Sequence, residues 1–288
     1  MFEGTYTAIV TPFDEAGNID FDCFKRLIDI QASAGVDGIA PVGTTGESPT
    51  LNYEEHCRVI DVAVESCRGR MKVIAGTGAN STSEAIELTQ HARDIGADGT
   101  LQVTPYYNKP NQEGLFRHFS AVADIGLPVV LYNVPGRTSR EIAVETIVRL
   151  ASHKNIVAVK EAGGSVDRVS NILEHCDITV LSGDDPLTLP MLAVGAKGVI
   201  SVASNIIPEQ VVEMVRFALE GNMDRARKLH TKYYRLFCDV FLDTNPIPVK
   251  AAMAMMGLIE EVYRLPLCPL SDDLKSKLRK TLETCSVL

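Results

Sequence analysis

A lysine stands at the end of an apolar segment that has the length of a β-strand. Residues 155–161 read Asn-Ile-Val-Ala-Val-Lys-Glu, and this β-branched run is typical of a strand covered on both faces, as in a parallel sheet. Lys160 is an unusual end for such a strand, because desolvating an ammonium group is costly. Its side chain either reaches solvent or pairs with a carboxylate such as Glu161, or it has a lowered pKa and attacks a ketone to form a Schiff base.

Other polar side chains follow the neighbouring strand-like segments. Tyr132 ends the preceding strand, and a phenol beside a lysine can pass protons while a carbinolamine forms and loses water. Thr44 and Thr45 lie in a glycine-flanked loop and offer hydroxyl and amide groups to a carboxylate, and Arg137 offers a bidentate fork to a second one. Considered one at a time, each has a purely structural explanation. Tyr132 could be a buried tyrosine, Thr44 and Thr45 could belong to a helix-capping loop, and Arg137 could be a solvated surface charge. Together they predict Schiff-base chemistry on a small keto acid.

The strand ends lack the residues that a metal-dependent aldol reaction or a phosphate-binding site would require. None of the six histidines lies at a predicted strand end, which disfavours a metal-dependent reaction, because that class needs histidine and carboxylate ligands around one ion. Asp184 and Asp185 follow the seventh strand, where a barrel phosphate site would need positive charge. We therefore expect no metal and no other cofactor.

Strand-like and helical segments alternate eight times, which predicts a (β/α)8 TIM barrel whose active site lies at the carboxyl ends of the strands. The predicted strands are 5–10, 38–42, 72–75, 100–103, 128–132, 155–161, 178–181 and 198–202. The predicted helices are 21–33, 53–67, 83–95, 112–125, 141–151, 166–175, 186–194 and 208–219. A doubly wound open sheet is the alternative, but it usually has fewer strands, and no G-x-G-x-x-G follows the first strand.

The strands stop near residue 220, and only helical patterns follow, at 223–242, 248–256 and 272–282. We therefore predict a catalytic barrel at 1–220 and a C-terminal helical appendage at 221–288. This appendage has the right length to pack beside the barrel or against another subunit.

Composition restricts the kind of partner and compartment. The 288 residues carry a net charge of −9 without a basic cluster, which disfavours nucleic acid and anionic membranes as partners. The longest apolar runs are far shorter than a membrane span, and we expect no signal peptide. Seven cysteines without a C-x-x-C pair suggest reduced thiols in a cytoplasm.

Four motifs, in order along the whole chain, resemble the dihydrodipicolinate synthase (4-hydroxy-tetrahydrodipicolinate synthase) family, which lies within the N-acetylneuraminate lyase-like Schiff-base aldolases. The motifs are Gly43-Thr44-Thr45-Gly46-Glu47, Tyr132-Asn133-Val134-Pro135-Gly136-Arg137-Thr138, Val159-Lys160-Glu161-Ala162 and Asn245-Pro246-Ile247-Pro248-Val249-Lys250. The resemblance implies that Lys160 condenses with pyruvate. It also implies that Tyr132 shuttles protons and is linked through Thr44 to Tyr107 of a neighbouring subunit.

The resemblance assigns the remaining contacts to the substrates. Thr45, the main-chain carbonyl of Ile200 and Gly183 correspond to substrate-binding positions, and Arg137 corresponds to the arginine that receives the carboxylate of aspartate semialdehyde. The implied reaction joins pyruvate to L-aspartate-4-semialdehyde and gives 4-hydroxy-tetrahydrodipicolinate, in lysine and diaminopimelate biosynthesis. The implied assembly is a homotetramer built as a dimer of dimers.

Two other functions stay open at this point. N-acetylneuraminate lyases and keto-sugar-acid aldolases share the lysine and the tyrosine, but the sialic acid lyases resemble Ser-Thr where this chain has Thr44-Thr45, and sugar-acid enzymes tend to differ at Arg137. A barrel that binds a keto acid as a sensor, without turnover, is the alternative from another class. The presence of both Lys160 and Tyr132 disfavours it.

The resemblance also implies a possible inhibitor site for lysine at a subunit interface. Five residues match positions that contact lysine in sensitive members of the family: Ser48, His56, Asn80, Glu84 and Tyr106. The chain departs from that pattern at Tyr53, where sensitive members often resemble His, and at Pro49, where they often have Ala. The alternative is that these residues only form the dimer contact.

Overall fold

Eight parallel strands close into a barrel in the computed structural model, which describes residues 2–288. The strands are β1 (Gly4–Thr7), β2 (Gly38–Ile39), β3 (Lys72–Gly76), β4 (Gly99–Val103), β5 (Val129–Asn133), β6 (Ile156–Glu161), β7 (Thr179–Ser182) and β8 (Gly198–Ser201). Each strand pairs with the next along the chain, and β8 closes the barrel on β1. The predicted (β/α)8 fold is therefore confirmed.

Helices follow the strands and continue after the barrel is complete. They are α1 (Phe21–Ser33), α2 (Tyr53–Cys67), α3 (Thr82–Asp94), α4 (Gln112–Ala123), α5 (Pro135–Thr138), α6 (Val144–Ala151), α7 (Val166–His175), α8 (Thr188–Ala193), α9 (Pro208–Leu219), α10 (Met223–Asp239), α11 (Ile247–Met255) and α12 (Asp272–Thr284). Helix α2 shows how the sequence starts such a helix. The Asn52 side chain accepts from the Glu55 amide, and the Glu55 side chain accepts from the Asn52 amide.

Several element boundaries differ from the prediction, and the clearest examples lie near the barrel mouth. Strand β1 ends at Thr7 rather than at residue 10. Strand β2 stops at Ile39 rather than at residue 42, and Val42 has a φ of 48°, which is incompatible with a strand. Helix α6 begins at Val144 rather than at residue 141. The backbone at Ile142 instead donates to the Asn133 side chain and accepts a bond from Arg168, so tertiary contacts hold this segment outside the helix.

The C-terminal helices share the hydrophobic core of the barrel. Leu236 and Phe237 of α10 and Val249 of α11 belong to the same buried cluster as Ile200 of β8. The residues before and after position 220 therefore share one hydrophobic core, and the C-terminal helices pack against the barrel. Among residues 2–288, no helix combines the length and the apolar character that a membrane span requires.

Candidate active site

Lys160 and Tyr132 face each other inside the carboxyl end of the barrel. Strands β5 and β6 are neighbours, and their register places Tyr132 directly opposite Lys160. The Lys160 Nζ atom lies 4.3 Å from the centre of the Tyr132 ring, and the lysine is only 5% exposed. The prediction that these two side chains meet is confirmed.

Glu161 is not the partner of Lys160. Successive residues of a strand point to opposite faces, so Glu161 points away from the barrel interior, toward the helices. Its carboxylate accepts from Arg168 Nε at 2.8 Å, from Asn133 Nδ2 at 2.9 Å and from the Gly163 amide at 2.7 Å. The structure therefore excludes the Lys160–Glu161 pair that the sequence left open.

A cavity of about 320 Å³, here called the catalytic cavity, opens at the barrel mouth. Its walls include six of the predicted site residues, namely Thr44, Thr45, Tyr132, Arg137, Lys160 and Gly183. Asn245, Cys238 and Phe241 from the C-terminal region complete the wall on one side. The site therefore needs both the barrel and the helical appendage.

The catalytic cavity increases the fraction of Lys160 that is neutral. The pKa of the lysine falls from 10.5 to about 8, chiefly because of burial; the charge of Asp185 opposes this fall, and the charge of Arg137 adds to it. At pH 7 about one molecule in ten then carries the free amine, roughly 300 times more than at the ordinary pKa. Burial raises the pKa of the Tyr132 phenol, and Arg137 and a hydrogen bond with Thr44 moderate that rise. A neutral amine next to a protonated phenol is suited to imine formation.

Asn245 joins the two groups that the sequence assigns to carboxylates. Its Nδ2 donates to Thr45 Oγ1 at 2.9 Å, and its main-chain carbonyl accepts from Arg137 Nη2 at 3.1 Å. Asn245 has no predicted role beyond its place in a motif. The only signal in the sequence is an amide side chain just before a Pro-x-Pro turn, which is too common to single out a site.

Asp185 is a second residue whose role the sequence does not show. Its buried carboxylate accepts from Ser201 Oγ at 2.5 Å and from the amides of Val202 and Ala203 at 2.9 and 3.0 Å. Burial raises the pKa of this carboxyl group, and these hydrogen bonds oppose the rise. Asp185 thereby fixes the carboxyl end of β8. Ile200 lies on this strand and is fully buried, whereas Val202, just after the strand, lines the catalytic cavity.

Tyr107 lies outside the catalytic cavity of its own chain. It is 92% exposed and has a φ of 73°, an uncommon conformation for a bulky residue. Beside the catalytic cavity lies the middle cavity, of about 200 Å³, whose walls include Thr44, Tyr132 and Tyr106. The link from Thr44 to a neighbouring subunit's tyrosine stays a prediction.

Four of the five residues predicted to contact lysine line one further cavity of about 200 Å³, here called the outer cavity. They are Ser48, His56, Glu84 and Tyr106, and Pro49 and Tyr53 lie in the same wall. Asn80 stands beside them and donates to the Tyr106 carbonyl at 3.4 Å. Burial lowers the pKa of His56, which favours the neutral ring, and Nε2 donates to the Gly76 carbonyl at 2.7 Å.

Metal ligands are not clustered at this end of the barrel. Within residues 2–288, no three His, Cys, Asp or Glu side chains come close enough together to hold a metal ion. The polar groups of the catalytic cavity are instead an amine, a phenol, hydroxyls, amides, a guanidinium, the Cys238 thiol and one carboxylate, that of Asp184.

Known proteins are similar to this chain in both sequence and fold. The model of the Dihydrodipicolinate synthetase family matches residues 1–285. A 4-hydroxy-tetrahydrodipicolinate synthase of Pelobacter propionicus is 50% identical to this chain, with 100% of both proteins covered. The 4-hydroxy-tetrahydrodipicolinate synthase from the thermoacidophilic methanotroph Methylacidiphilum fumariolicum SolV has a TM-score of 0.98 and 53% identity, over 99% of this chain and 96% of the other. DHDPS from Cyanidioschyzon merolae, solved with lysine bound, has a TM-score of 0.97 and 41% identity, over 100% and 99%. The chain therefore belongs to the dihydrodipicolinate synthetase family.

Proposed function

We propose that the chain is a Schiff-base lyase that condenses pyruvate with L-aspartate-4-semialdehyde and gives 4-hydroxy-tetrahydrodipicolinate. The observation that carries this proposal is the buried Lys160 amine, lowered in pKa and held against the Tyr132 phenol. Membership of the family and relatives named as this synthase support the choice of reaction over the lyases that act on sugar acids.

The first half of the proposed reaction activates pyruvate. The neutral Lys160 Nζ adds to the keto carbon, and the resulting carbinolamine loses water to leave an imine. Tyr132 gives and takes the protons of these steps, and its hydrogen bond with Thr44 supplies a path for them. Thr45, Gly183 and the carbonyl of Ile200 hold the keto acid. Loss of a methyl proton then converts the imine to an enamine.

The second half of the proposed reaction joins the two substrates. The enamine carbon attacks the aldehyde carbon of the semialdehyde, whose carboxylate is bound by Arg137. The aldehyde oxygen takes up a proton and becomes the hydroxyl group of the product, and the imine to Lys160 forms again. The amino group of the second substrate then displaces Lys160 by transimination, which closes the ring and regenerates the free amine. All steps use groups of the chain and its substrates, so the proposal includes no metal and no cofactor.

Reduction of the imine by borohydride tests the covalent step. Protein treated with pyruvate and borohydride should gain one reduced pyruvate adduct per chain, and mass mapping should place it on Lys160. An adduct elsewhere, or none, would contradict the mechanism. Turnover of aspartate semialdehyde but not of N-acetylneuraminate would support the synthase. An adduct without turnover of either substrate would instead indicate a sensor.

The compartment, the pathway and the assembly of the enzyme are also proposals. We place the reaction in the cytoplasm, in lysine and diaminopimelate biosynthesis, and we propose a homotetramer built from two dimers. Exposure of Tyr107 supports this assembly, because a tyrosine in an unusual backbone conformation at the surface can reach a neighbouring subunit. The middle cavity, next to Thr44 and Tyr132, has space for such a side chain.

We further propose that lysine inhibits the enzyme by binding in the outer cavity. Glu84 carries the negative charge that would pair with an ammonium group, and Tyr106 lies close enough for that charge to raise the tyrosine pKa, after the larger effect of burial. A lysine titration of the condensation rate should show inhibition, and Glu84→Gln should weaken it without lowering the uninhibited rate. A rate that does not respond to millimolar lysine would contradict the proposal.

A further inference from the structure

A fully buried ion pair connects the C-terminal region to the loop that carries Thr44 and Thr45. Lys250 Nζ lies 2.5 Å from Glu47 Oε1, and neither side chain has exposed surface. We propose that Glu47 and Lys250 are positioning residues, and that their ion pair sets the places of the two threonine hydroxyl groups in the catalytic cavity. This inference rests on the proposed condensation.

The loop that carries Thr44 and Thr45, here called the threonine loop, has a backbone conformation that its surroundings must stabilise. Val42 and Glu47, on either side of the threonines, have φ values of 48° and 54°, which are uncommon for residues other than glycine and persist only where the surroundings impose them. The Glu47 amide donates to the Thr44 carbonyl at 3.1 Å. A change in the position of Glu47 is therefore passed directly to Thr44.

The pair is part of a closed set of hydrogen bonds around the loop. Lys250 Nζ also donates to the Thr11 carbonyl at 3.2 Å, and Thr11 Oγ1 donates to the Gly46 carbonyl at 2.7 Å. Gly46 precedes Glu47, so the set returns to the ion pair. The Lys250 Nζ atom also lies 4.3 Å from the centre of the Phe13 ring, so the lysine is enclosed on several sides.

The same C-terminal segment reaches the second threonine. Asn245 donates to Thr45 Oγ1, and the Lys250 amide donates to the Pro246 carbonyl at 3.0 Å, which joins the two contacts within one turn of the backbone. Residues 245–250 thus hold Thr45 through Asn245 and Thr44 through Glu47.

Stability alone does not account for such a pair. Removing two charges from water costs about as much as their attraction returns, so apolar replacement of both partners is often neutral or stabilising. What a buried pair adds is a defined distance between two elements. Here those elements are helix α11 and the threonine loop.

The experiment uses the full chain and the double variant Glu47→Gln/Lys250→Met, in which neither charge is left buried alone. We expect the unfolding temperature to be retained, and we expect pyruvate to be trapped on Lys160 to the same final extent but more slowly. We expect kcat and kcat/KM for pyruvate to fall about 10- to 100-fold, because small displacements of catalytic groups are costly, while KM for aspartate semialdehyde changes little. The matched control is Thr281→Val, which removes a buried hydrogen bond to Asp239 in the same region and should leave both constants unchanged.

A milder variant covers the case in which the double variant does not fold. Thr11→Val removes the bond to Gly46 and should lower kcat about 3- to 10-fold, although its unfolding temperature should fall no further than that of Thr281→Val, which also loses one buried hydrogen bond. Wild-type constants in the folded double variant, or in Thr11→Val, would overturn the inference. So would losses that follow the unfolding temperature and recur in Thr281→Val. If wild-type protein forms no adduct on Lys160, the proposed function itself fails, which is a separate result.

Discussion

At the level of single residues, Gly183 sets the space that is left for the Lys160 side chain. A Cβ atom at Gly183 would lie 2.8 Å from Lys160 Cε and 2.8 Å from the Ala162 Cβ, closer than carbon atoms approach. Gly183→Ala should therefore move the lysine and slow the trapping of pyruvate by borohydride about 10- to 100-fold.

Gly136→Ala is the matched control for this substitution, because a Cβ at that glycine of α5 would meet no atom within 4 Å. The control should trap pyruvate at the wild-type rate. Equal trapping by Gly183→Ala would show that the lysine does not depend on this contact.

The pH dependence of pyruvate trapping should report the pKa of Lys160. The neutral amine is the reactive form, so the rate should rise with pH through about 8 and level off above it. Asp185→Asn removes a negative charge that favours the ammonium form, so the midpoint should move to lower pH. Arg137→Gln removes a positive charge that disfavours it, so the midpoint should move to higher pH. Shifts in the same direction would contradict this electrostatic account.

At the level of elements, the Glu161–Arg168 pair joins strand β6 to helix α7. Glu161 has no exposed surface, and Arg168 is only 10% exposed. Arg168→Met would leave a buried carboxylate without its cation and should lower the free energy of unfolding by about 3 kcal/mol or more, measured by chemical denaturation.

The control for this pair lies on the surface of helix α4, where Arg117 contacts Glu113 in solvent. Arg117→Met should change the free energy of unfolding by less than about 1 kcal/mol. Comparable losses in the two variants would mean that burial does not determine the strength of the pair at β6.

The sequence predicts some contacts of the site better than others, depending on how the two contacting residues are separated along the chain. Lys160 and Tyr132 end consecutive strands, and consecutive strands are neighbours in a barrel, so their meeting can be inferred from the chain order alone. The contacts of Asn245 with Thr45 and of Lys250 with Glu47 are different, because each joins residues about 200 positions apart and only tertiary packing brings them together. The early end of β2 is different again, because Pro41, which has no N–H to donate to a neighbouring strand, marks it in the sequence, whereas the positive φ of Val42 is signalled by no residue pattern.

At the level of the whole molecule, a relay that crosses between subunits can be tested by mixing two defective proteins. Tyr107→Phe keeps its lysine, and Lys160→Ala keeps its Tyr107, so a mixed dimer should contain one complete site. Unfolded together and refolded in equal amounts, the two variants should recover about a quarter of wild-type activity, since half of the dimers are mixed and each has one working site.

Activity no greater than the sum of the separately refolded variants would show that Tyr107 serves its own chain or none. A Tyr107→Phe enzyme with the full rate would exclude the relay altogether. The same mixing of Tyr107→Phe with wild-type protein is the control for losses during refolding.

The three cavities have walls in common, and this has a thermodynamic consequence. Thr44 lines the catalytic and middle cavities, and Ser48 and Pro49 line the middle and outer ones. One short loop therefore faces every ligand that the chain is proposed to bind. Linkage between sites is reciprocal, so the factor by which lysine changes the affinity for pyruvate must equal the factor by which pyruvate changes the affinity for lysine. If lysine changes the affinity for pyruvate, the enzyme filled with pyruvate must bind lysine with a different affinity from the empty one, even though the two ligands never touch.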